Sequence, residues 1–170
     1  MDQDLLRLIY SKYAKEIYLY LYSLCKSHSM SEELMQDVFV KAIISLGDDH
    51  PNFRAWLYKV AHNLCINRLR KEQRIEFYDE IPDKYNHSEI SCEEGLSNLL
   101  ESEKNMSLYR CLNRLPAIQR EVIFMEYFSE LNHTEIASAL NIKPGNVRVI
   151  AHRARKELKN LLEGEKNYEF

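Results

Sequence analysis

Near its end the chain carries the stretch Glu135-Ile-Ala-Ser-Ala-Leu-Asn-Ile-Lys-Pro-Gly-Asn-Val-Arg-Val-Ile-Ala-His-Arg-Ala-Arg155, which decides the fold of the surrounding region. Ile136 and Leu140 lie four residues apart, so they share one face of a helix. Asn141 follows where a tight turn needs a left-handed backbone conformation, which Asn tolerates better than most residues. The spacing therefore predicts a short helix that ends in a tight turn, the first half of a helix-turn-helix.

A second helix is predicted to begin at Pro144, because the fixed φ of proline suits the first turn of a helix. Val147 and Ile150 would bury its inner side. Its outer side supplies the candidate DNA-contacting residues Asn146, Arg148, Val149, His152, Arg153 and Arg155. A helix-turn-helix places its second helix in the major groove of DNA, so this unit predicts a DNA-binding domain. Taken alone, the segment is also compatible with a helical hairpin whose polar face is merely solvated.

Composition and spacing favour an all-α fold for the whole chain. Only four Gly and four Pro interrupt 170 residues, and apolar residues recur at helical spacing over long stretches. One helix is expected from about Gln3 to Cys25. A second is expected to be capped by Ser31 and to bury a face that includes Val38 and Phe39.

The third predicted helix, which begins near Phe53 and continues past Leu69, carries two different faces. Its expected inner face consists of Leu57, Val60, Ala61 and Leu64. The opposite face collects cations and amides at helical spacing, namely Lys59, Asn63, Asn67, Arg70 and Arg74. The helix opens with three aromatic residues, Phe53, Trp56 and Tyr58. Cations, amides and aromatic rings together can bind phosphates, contact base edges and stack on bases, so this face predicts nucleic-acid binding. Trp56 by itself is better explained as a core residue.

Charge is divided by segment along the chain. The net charge of −3 conceals two basic segments, 54–74 and 143–159, each with six Lys or Arg against one Glu. Between them, residues 75–103 carry nine Asp or Glu against one base, Lys84, and show no clean helical period. Two basic helices separated by an acidic tether form a more specific arrangement than a generally solvated surface.

These patterns predict two small helical domains joined by a flexible acidic linker, with the helix-turn-helix in the C-terminal domain. The expected boundaries are 1–74 for the first domain, 75–103 for the linker, 104–164 for the second domain and 165–170 for a tail. Within the second domain, Pro116 separates a first helix from one running over 117–128, and the last helix is expected to stop at Gly164.

The four cysteines form no Cys-x-x-Cys pair. In a chain without an export signal they are expected to be reduced thiols. His62 and Cys65 lie three residues apart on a predicted helix, but no second pair of ligands accompanies them. No metal and no cofactor is therefore expected.

No apolar run approaches the roughly 20 residues that span a bilayer, so the protein is expected in the cytoplasm.

Several motifs, in consistent order, are similar to those of bacterial sigma factors. The motifs that resemble region 2 are Ser31-Glu-Glu-Leu-Met-Gln-Asp-Val-Phe39, Phe53-Arg-Ala-Trp-Leu-Tyr-Lys-Val-Ala-His-Asn-Leu64 and Asn67-Arg-Leu-Arg70. Those that resemble region 4 are Leu115-Pro-Ala-Ile-Gln-Arg-Glu-Val-Ile123, Glu135-Ile-Ala137, Asn146-Val-Arg148 and His152-Arg-Ala-Arg155. The chain therefore resembles an extracytoplasmic-function (ECF) sigma factor, of the type that contains only these two regions.

The resemblance implies a dissociable subunit of bacterial RNA polymerase that directs the core enzyme to promoters and is not itself an enzyme. In the family the second helix binds a coiled coil of the β′ subunit, and the matching residues are Glu33, Gln36, Asp37 and Phe39. The third helix melts the −10 element, and the matching or neighbouring residues are Trp56, His62, Asn63, Asn67, Arg68 and Arg70. The C-terminal domain sits on the β flap and binds the −35 element, where the matching residues are Arg148, Val149, His152 and Arg153. An anti-sigma partner is also implied, because such a partner holds most of these factors inactive.

Some positions depart from the usual residues of the family. His62 stands where Arg is frequent, Asn67 where Asp is frequent, and Val149 where a small polar residue is frequent. These positions adjust promoter recognition, and Val149 suits contact with the methyl group of thymine. The acidic linker is expected to repel DNA in the free protein.

Two other classes of protein compete with the sigma-factor interpretation. A two-domain helix-turn-helix regulator would need an N-terminal receiver or ligand pocket, but the N-terminal half shows neither alternating strands nor a phospho-acceptor pattern. A nuclease would need carboxylates or histidines clustered near the basic faces, whereas the acidic residues concentrate in the linker.

Overall fold

The computed structural model describes residues 3–45, 50–73 and 103–166. These residues form seven helices and no strand, which confirms the all-α class. The chain divides into two compact units, Met1–Glu89 and Ile90–Phe170, and the division falls within the predicted linker. Most of that linker, including Cys92, and the preceding Arg74 lie outside the described residues.

The N-terminal unit consists of three helices packed against one another. They are α1 (Gln3–Cys25), α2 (His28–Ile44) and α3 (Phe53–Gln73). The largest fully buried side chains of this unit are Ile17, Tyr20, Leu21, Val38, Leu57 and Tyr58. The first and third helices begin at Gln3 and Phe53, as the sequence predicts.

The start of α2 differs from the prediction. The cap is Ser27, whose hydroxyl accepts a hydrogen bond from the backbone N–H of Met30 at 3.2 Å. Ser31 lies inside the helix, fully buried, and donates to the carbonyl oxygen of Ser27 at 2.6 Å. Lys26 explains the shift, because its left-handed φ of 54° ends α1 and lets α2 start one turn earlier.

The inner face of α3 also differs from the prediction. Leu57, Ala61, Cys65 and Leu69 are buried and follow one another every four residues, while Val60 and Leu64 are only half-buried. A ridge of residues four apart is the usual contact row between packed helices. Tyr58, predicted as part of the nucleic-acid face, is fully buried on this inner side, and its hydroxyl donates to the Glu16 carboxylate at 3.3 Å.

The C-terminal unit is organised around one long helix. Its helices are α4 (Glu103–Arg114), α5 (Ala117–Tyr127), α6 (His133–Leu140) and α7 (Pro144–Lys166). The other three all pack against α7. The core cluster comprises Leu112, Leu115, Ile123 and Ala154, with Leu108, Leu158 and Leu161 packed beside it.

The last helix continues past Gly164 to Lys166, so the predicted stop at this glycine is wrong. The carboxylate of Glu165 accepts a hydrogen bond from the Ser107 hydroxyl of α4. This contact holds the final turn against the rest of the unit, and tertiary packing therefore overrides the weak helix propensity of glycine.

The helix-turn-helix forms as predicted from Asn141 and Pro144. Asn141 has φ 57° and ψ 47°, and the N–H of Ile142 donates to the Ala137 carbonyl oxygen at 3.0 Å. A capping box begins α6, because the Asn132 side chain accepts from the Glu135 N–H at 2.9 Å and the Glu135 carboxylate accepts from the Asn132 N–H at 2.9 Å. Both ends of α6 are thus fixed by local hydrogen bonds, which sets where α7 starts.

Candidate nucleic-acid interface

The outer face of α7 brings together most of the candidate DNA-contacting side chains. Val147, Ala151 and Ala154 are fully buried and hold the helix against the unit. The exposed candidates are Asn146, Arg148, Val149, His152 and Arg153. They combine cations, a polar amide and an apolar side chain on one solvent-facing surface, a combination that can bind phosphates and contact base edges.

Arg155 differs from these candidates because it is half-buried and paired with a carboxylate. Its Nη1 donates to both carboxylate oxygens of Glu126 on α5, at 2.9 and 3.0 Å. The exposed fractions of the two side chains are 39% for Arg155 and 22% for Glu126. Arg155 lies seven residues after Arg148 and so on the same side of α7, but its guanidinium is engaged by Glu126.

The outer face of α3 presents a second group of exposed polar side chains, as predicted. Its exposed candidates are Lys59, Asn63, Asn67 and Arg70. His62 is half-buried beside them, and its Nδ1 lies 3.2 Å from the hydroxyl of the buried Tyr20. This contact ties the His62 ring to the core of the unit through Tyr20.

An aromatic stack precedes this face at the start of α3. The Trp56 ring stacks on His50, with centroids 4.5 Å apart, and on Phe53, with centroids 5.7 Å apart. Trp56 is half-buried, so it is less enclosed than the core residue expected from the sequence. His50 was not among the residues predicted from the sequence. Its position three residues before Phe53 and beside Pro51 could have indicated an aromatic contact at the start of α3. Stacked rings at the edge of a basic helix can receive unpaired bases.

Arg68 connects α3 to α2. Its Nη2 lies 3.1 Å from the carboxylate of Glu33 and its Nε lies 3.3 Å from that of Glu72. The hydrogen bond to Glu72, followed by the charge of Glu33, raises the pKa of the Arg68 guanidinium above its ordinary value. A candidate DNA residue thus pairs with a candidate polymerase residue.

The outer face of α2 carries Glu33, Gln36 and Asp37, all exposed. Phe39 does not join them, because it is only 4% exposed and its ring packs on Tyr10 with centroids 4.9 Å apart. Two apolar residues, Val40 at 52% and Ile44 at 77% exposure, continue the exposed face at helical spacing. The sequence analysis missed both, although exposed apolar side chains on a helix are a mark of protein interfaces.

The described residues offer no metal centre, since no three His, Cys, Asp or Glu side chains among them lie close enough to hold an ion. Cys25, Cys65 and Cys111 are buried thiols. No helix in the described ranges is both long enough and apolar enough to cross a membrane.

Comparison with known proteins matches both units of the chain. Residues 9–75 match the family model for Sigma-70 region 2, and residues 105–158 match the model for Sigma-70, region 4. RNA polymerase sigma factor YlaC of Bacillus subtilis (strain 168) is 32% identical over 168 residues, which cover 92% of this chain and 91% of that protein. ECF RNA polymerase sigma factor SigW of the same organism is 29% identical over 177 residues, covering 95% of this chain and 90% of SigW. The chain belongs to the ECF RNA polymerase sigma factors.

Solved structures of sigma factors share the fold of this ECF sigma factor. The sigma factor RpoE from Bartonella quintana, solved with the anti-sigma factor NepR, superposes with a TM-score of 0.67 at 22% identity, covering 92% of this chain and 96% of RpoE. CnrH, solved with the cytosolic domain of CnrY, gives a TM-score of 0.62 at 22% identity, covering 96% and 90%.

As a member of this family, the protein acts in transcription initiation, and its partners are RNA polymerase and promoter DNA. The outer faces of α2 and α3 belong to the part that matches region 2, and that of α7 to the part that matches region 4. The regulator alternative is not favoured, because a sigma region matches the N-terminal half, where that alternative requires a receiver or ligand pocket.

Proposed function

We propose that the two units of this ECF sigma factor divide promoter recognition, with α7 binding the −35 duplex and α3 melting the −10 element. The observation that carries the proposal is the outer face of α7, where Arg148, Val149, His152 and Arg153 are exposed together on a firmly capped helix-turn-helix. Arg148 and Arg153 neutralise phosphates, and base-edge contacts add specificity of about 1–3 kcal/mol each.

The −10 element is opened by the α3 face and the stack before it. Unstacking a base costs a few kcal/mol, and stacking on an aromatic side chain returns about 1–3 kcal/mol per base. Trp56, with His50 and Phe53, supplies the stacking surface, and Asn63 contacts the captured base. Around them, the phosphate and base contacts come from His62, Asn67, Arg68 and Arg70.

Core polymerase binds the outer face of α2. Glu33, Gln36 and Asp37 contact the coiled coil of β′, while Val40 and Ile44 extend the contact with apolar surface. Phe39 supports this helix from the core instead of touching the partner. The C-terminal unit sits on the β flap, which holds α7 over the −35 element.

The factor acts in the cytoplasm, where its polymerase and promoters are, and needs no cofactor. Catalysis belongs to the polymerase, and the sigma factor contributes binding and orientation. An anti-sigma factor holds the chain inactive until a signal arrives, a proposal supported by the two related sigma factors whose structures include CnrY or NepR.

Run-off transcription tests this function directly. Purified bacterial core polymerase is incubated with sheared DNA from the organism that encodes the chain, with and without the protein. We expect transcripts that depend on the chain and start at discrete sites, and alignment of those sites should reveal two sequence elements. Absence of such transcripts, together with failure to bind core polymerase, would refute the function.

A further inference from the structure

A single carboxylate joins three helices of the C-terminal unit. Glu126, near the end of α5, accepts from Nη1 of Arg155 on α7 at 2.9 and 3.0 Å. The same carboxylate lies 3.5 Å from Nε2 of His133 in the first turn of α6. Both helices of the helix-turn-helix are therefore tied to one point on α5.

The direction of Arg155 follows from helix geometry. With 3.6 residues per turn, side chains two positions apart point about 200° away from each other. Arg153 projects into solvent, whereas Arg155 lies beside the buried row Val147, Ala151 and Ala154, where Glu126 binds it. Two arginines that look alike in the sequence thus leave opposite sides of α7.

The contact is partly enclosed, which distinguishes it from an ordinary surface ion pair. Glu126 is 22% exposed, and one guanidinium nitrogen engages both of its oxygens. Exposed pairs contribute little, but charged hydrogen bonds that are partly shielded from water, and that share a partner, couple more strongly.

We propose that Glu126 is a positioning residue for −35 recognition, which holds Arg155 and His133 so that α7 is presented to DNA at a fixed angle. Arg155 then belongs to this internal clamp and does not bind DNA. The inference rests on the proposed function of α7, and it assigns the DNA contacts of this helix to Arg148, Val149, His152 and Arg153.

The salt dependence of promoter binding separates a positioning arginine from a phosphate-binding one. Removing a phosphate contact lowers the slope of log affinity against log salt by about 0.9. For promoter binding by the polymerase holoenzyme, we expect Arg153→Ala to lower the slope of log affinity against log salt by about this amount. Arg155→Met should weaken binding on the order of tenfold while leaving the slope unchanged.

Glu126→Gln keeps the shape of the side chain and removes its charge. We expect it to weaken −35-dependent binding to a similar extent, and the double variant with Arg155→Met to be no weaker than either single variant. The charge-swapped pair Glu126→Arg with Arg155→Glu should recover part of the loss. Initiation on a template without a −35 element and with a pre-opened −10 region should be unaffected by all these variants, which controls for loss of folding or polymerase binding.

Two results would overturn the inference while leaving the function of α7 intact. One is a slope that falls as much for Arg155→Met as for Arg153→Ala, since Arg155 would then bind phosphate. The other is wild-type −35 binding by Glu126→Gln. If the wild-type holoenzyme shows no −35-dependent binding at all, the proposed function itself fails, and the inference fails with it.

Discussion

Single side chains of α7 act differently according to the side of the helix from which they project. Arg153 faces solvent and Arg155 is held by Glu126, although only Ala154 separates them. The exposed set could be predicted from the sequence, because helical spacing determines which residues share a face. The position of Arg155 could not, since its partner lies 29 residues earlier and only the packing of α5 on α7 brings them together.

Val149 provides a residue-scale prediction about promoter sequence. The side chain is 49% exposed on the outer face of α7, which we propose binds DNA, and it suits contact with a thymine methyl group. Replacing the contacted thymine by uracil, which lacks that methyl group, should cost the wild-type holoenzyme about 0.8 kcal/mol, roughly fourfold in affinity. Filter binding with uracil placed at each −35 thymine in turn measures this cost.

Val149→Ser is the matched control for that experiment. With serine at this position, thymine and uracil templates should bind equally well, because no apolar contact remains to be lost. Equal binding of both templates by the wild-type protein at every −35 thymine would show that Val149 does not contact a methyl group.

Cys25 provides a prediction about pH. Its thiol hydrogen-bonds with Cys65, and this contact, together with hydrogen bonds to Ser31 and the Ser27 backbone, outweighs burial and lowers its pKa from 9.0 to about 7. When the pKa of an acid is lower in the folded protein than in the unfolded chain, its ionisation stabilises the folded state. This stabilisation begins as the pH rises through the pKa of the folded state and is complete once the pH exceeds the pKa of the unfolded state. The free energy of unfolding of the wild type relative to Cys25→Ser should therefore rise between pH 7 and pH 9, by about 1–3 kcal/mol.

Urea unfolding of both proteins in reducing buffer at pH 6.5, 7.5, 8.5 and 9 measures this difference. Serine does not titrate in this range, so the variant subtracts the pH dependence of the groups that do not contact Cys25. A difference that stays constant with pH would show that the Cys25 thiol remains protonated in the folded protein.

At the scale of elements, boundaries set by residues that constrain their own backbone were predictable, and boundaries set by packing were not. Asn141 and Pro144 place the helix-turn-helix because both constrain their own backbone. The end of α7 is different, since the contact between Glu165 and Ser107 carries the helix past Gly164. The inner face of α3 also differs from the prediction, because Cys65 and Leu69 are buried in place of Val60 and Leu64. Which of these residues are buried depends on the side from which α1 and α2 pack against α3.

The turn between α6 and α7 gives an element-scale prediction. Asn141 has φ 57°, a conformation that costs most residues roughly 1–2 kcal/mol and that Gly adopts freely. Asn141→Ala should lower the free energy of unfolding of the C-terminal unit by about 1 kcal/mol, whereas Asn141→Gly should change it by less. Urea unfolding followed by circular dichroism tests this, and equal effects of the two substitutions would contradict the role assigned to the backbone.

At the scale of the whole molecule, the charge distribution and the two-unit organisation support the proposal that separate units contact the −35 and −10 elements. Both units and the family were predictable from the sequence, because charge blocks and ordered motifs are local properties of the chain. For the two surfaces proposed to face the promoter, the sequence predicts only which residues share the outer face of α3 and which share that of α7. Their aromatic stack and ion pairs depend on residues such as His50 and Glu126, which only the folded units bring into place.

The acidic residues between the two basic segments give a prediction for the free protein. Glu89, Glu93 and Glu94 lie in the acidic segment between the two basic segments and should repel DNA when polymerase is absent. Replacing all three by Gln should tighten binding of the free chain to promoter DNA several-fold at low salt. The effect should fade at high salt because of screening. Fluorescence anisotropy measures this, and unchanged affinity at low salt would exclude electrostatic self-repulsion.

The central claim is that α7 binds the −35 duplex while α3 melts the −10 element. The most direct test is run-off transcription on two versions of one promoter, one fully duplex and one with a pre-opened −10 region. Asn63→Ala should impair initiation on the duplex and recover on the opened template, while Arg148→Ala and Arg153→Ala should be impaired on both. Lys159→Ala removes the same charge three turns further along α7 than Arg148, where Lys159 pairs with Glu163 at 4.0 Å, and should behave as wild type on both. Recovery of the α7 variants on the opened template, with no recovery of Asn63→Ala, would contradict the account.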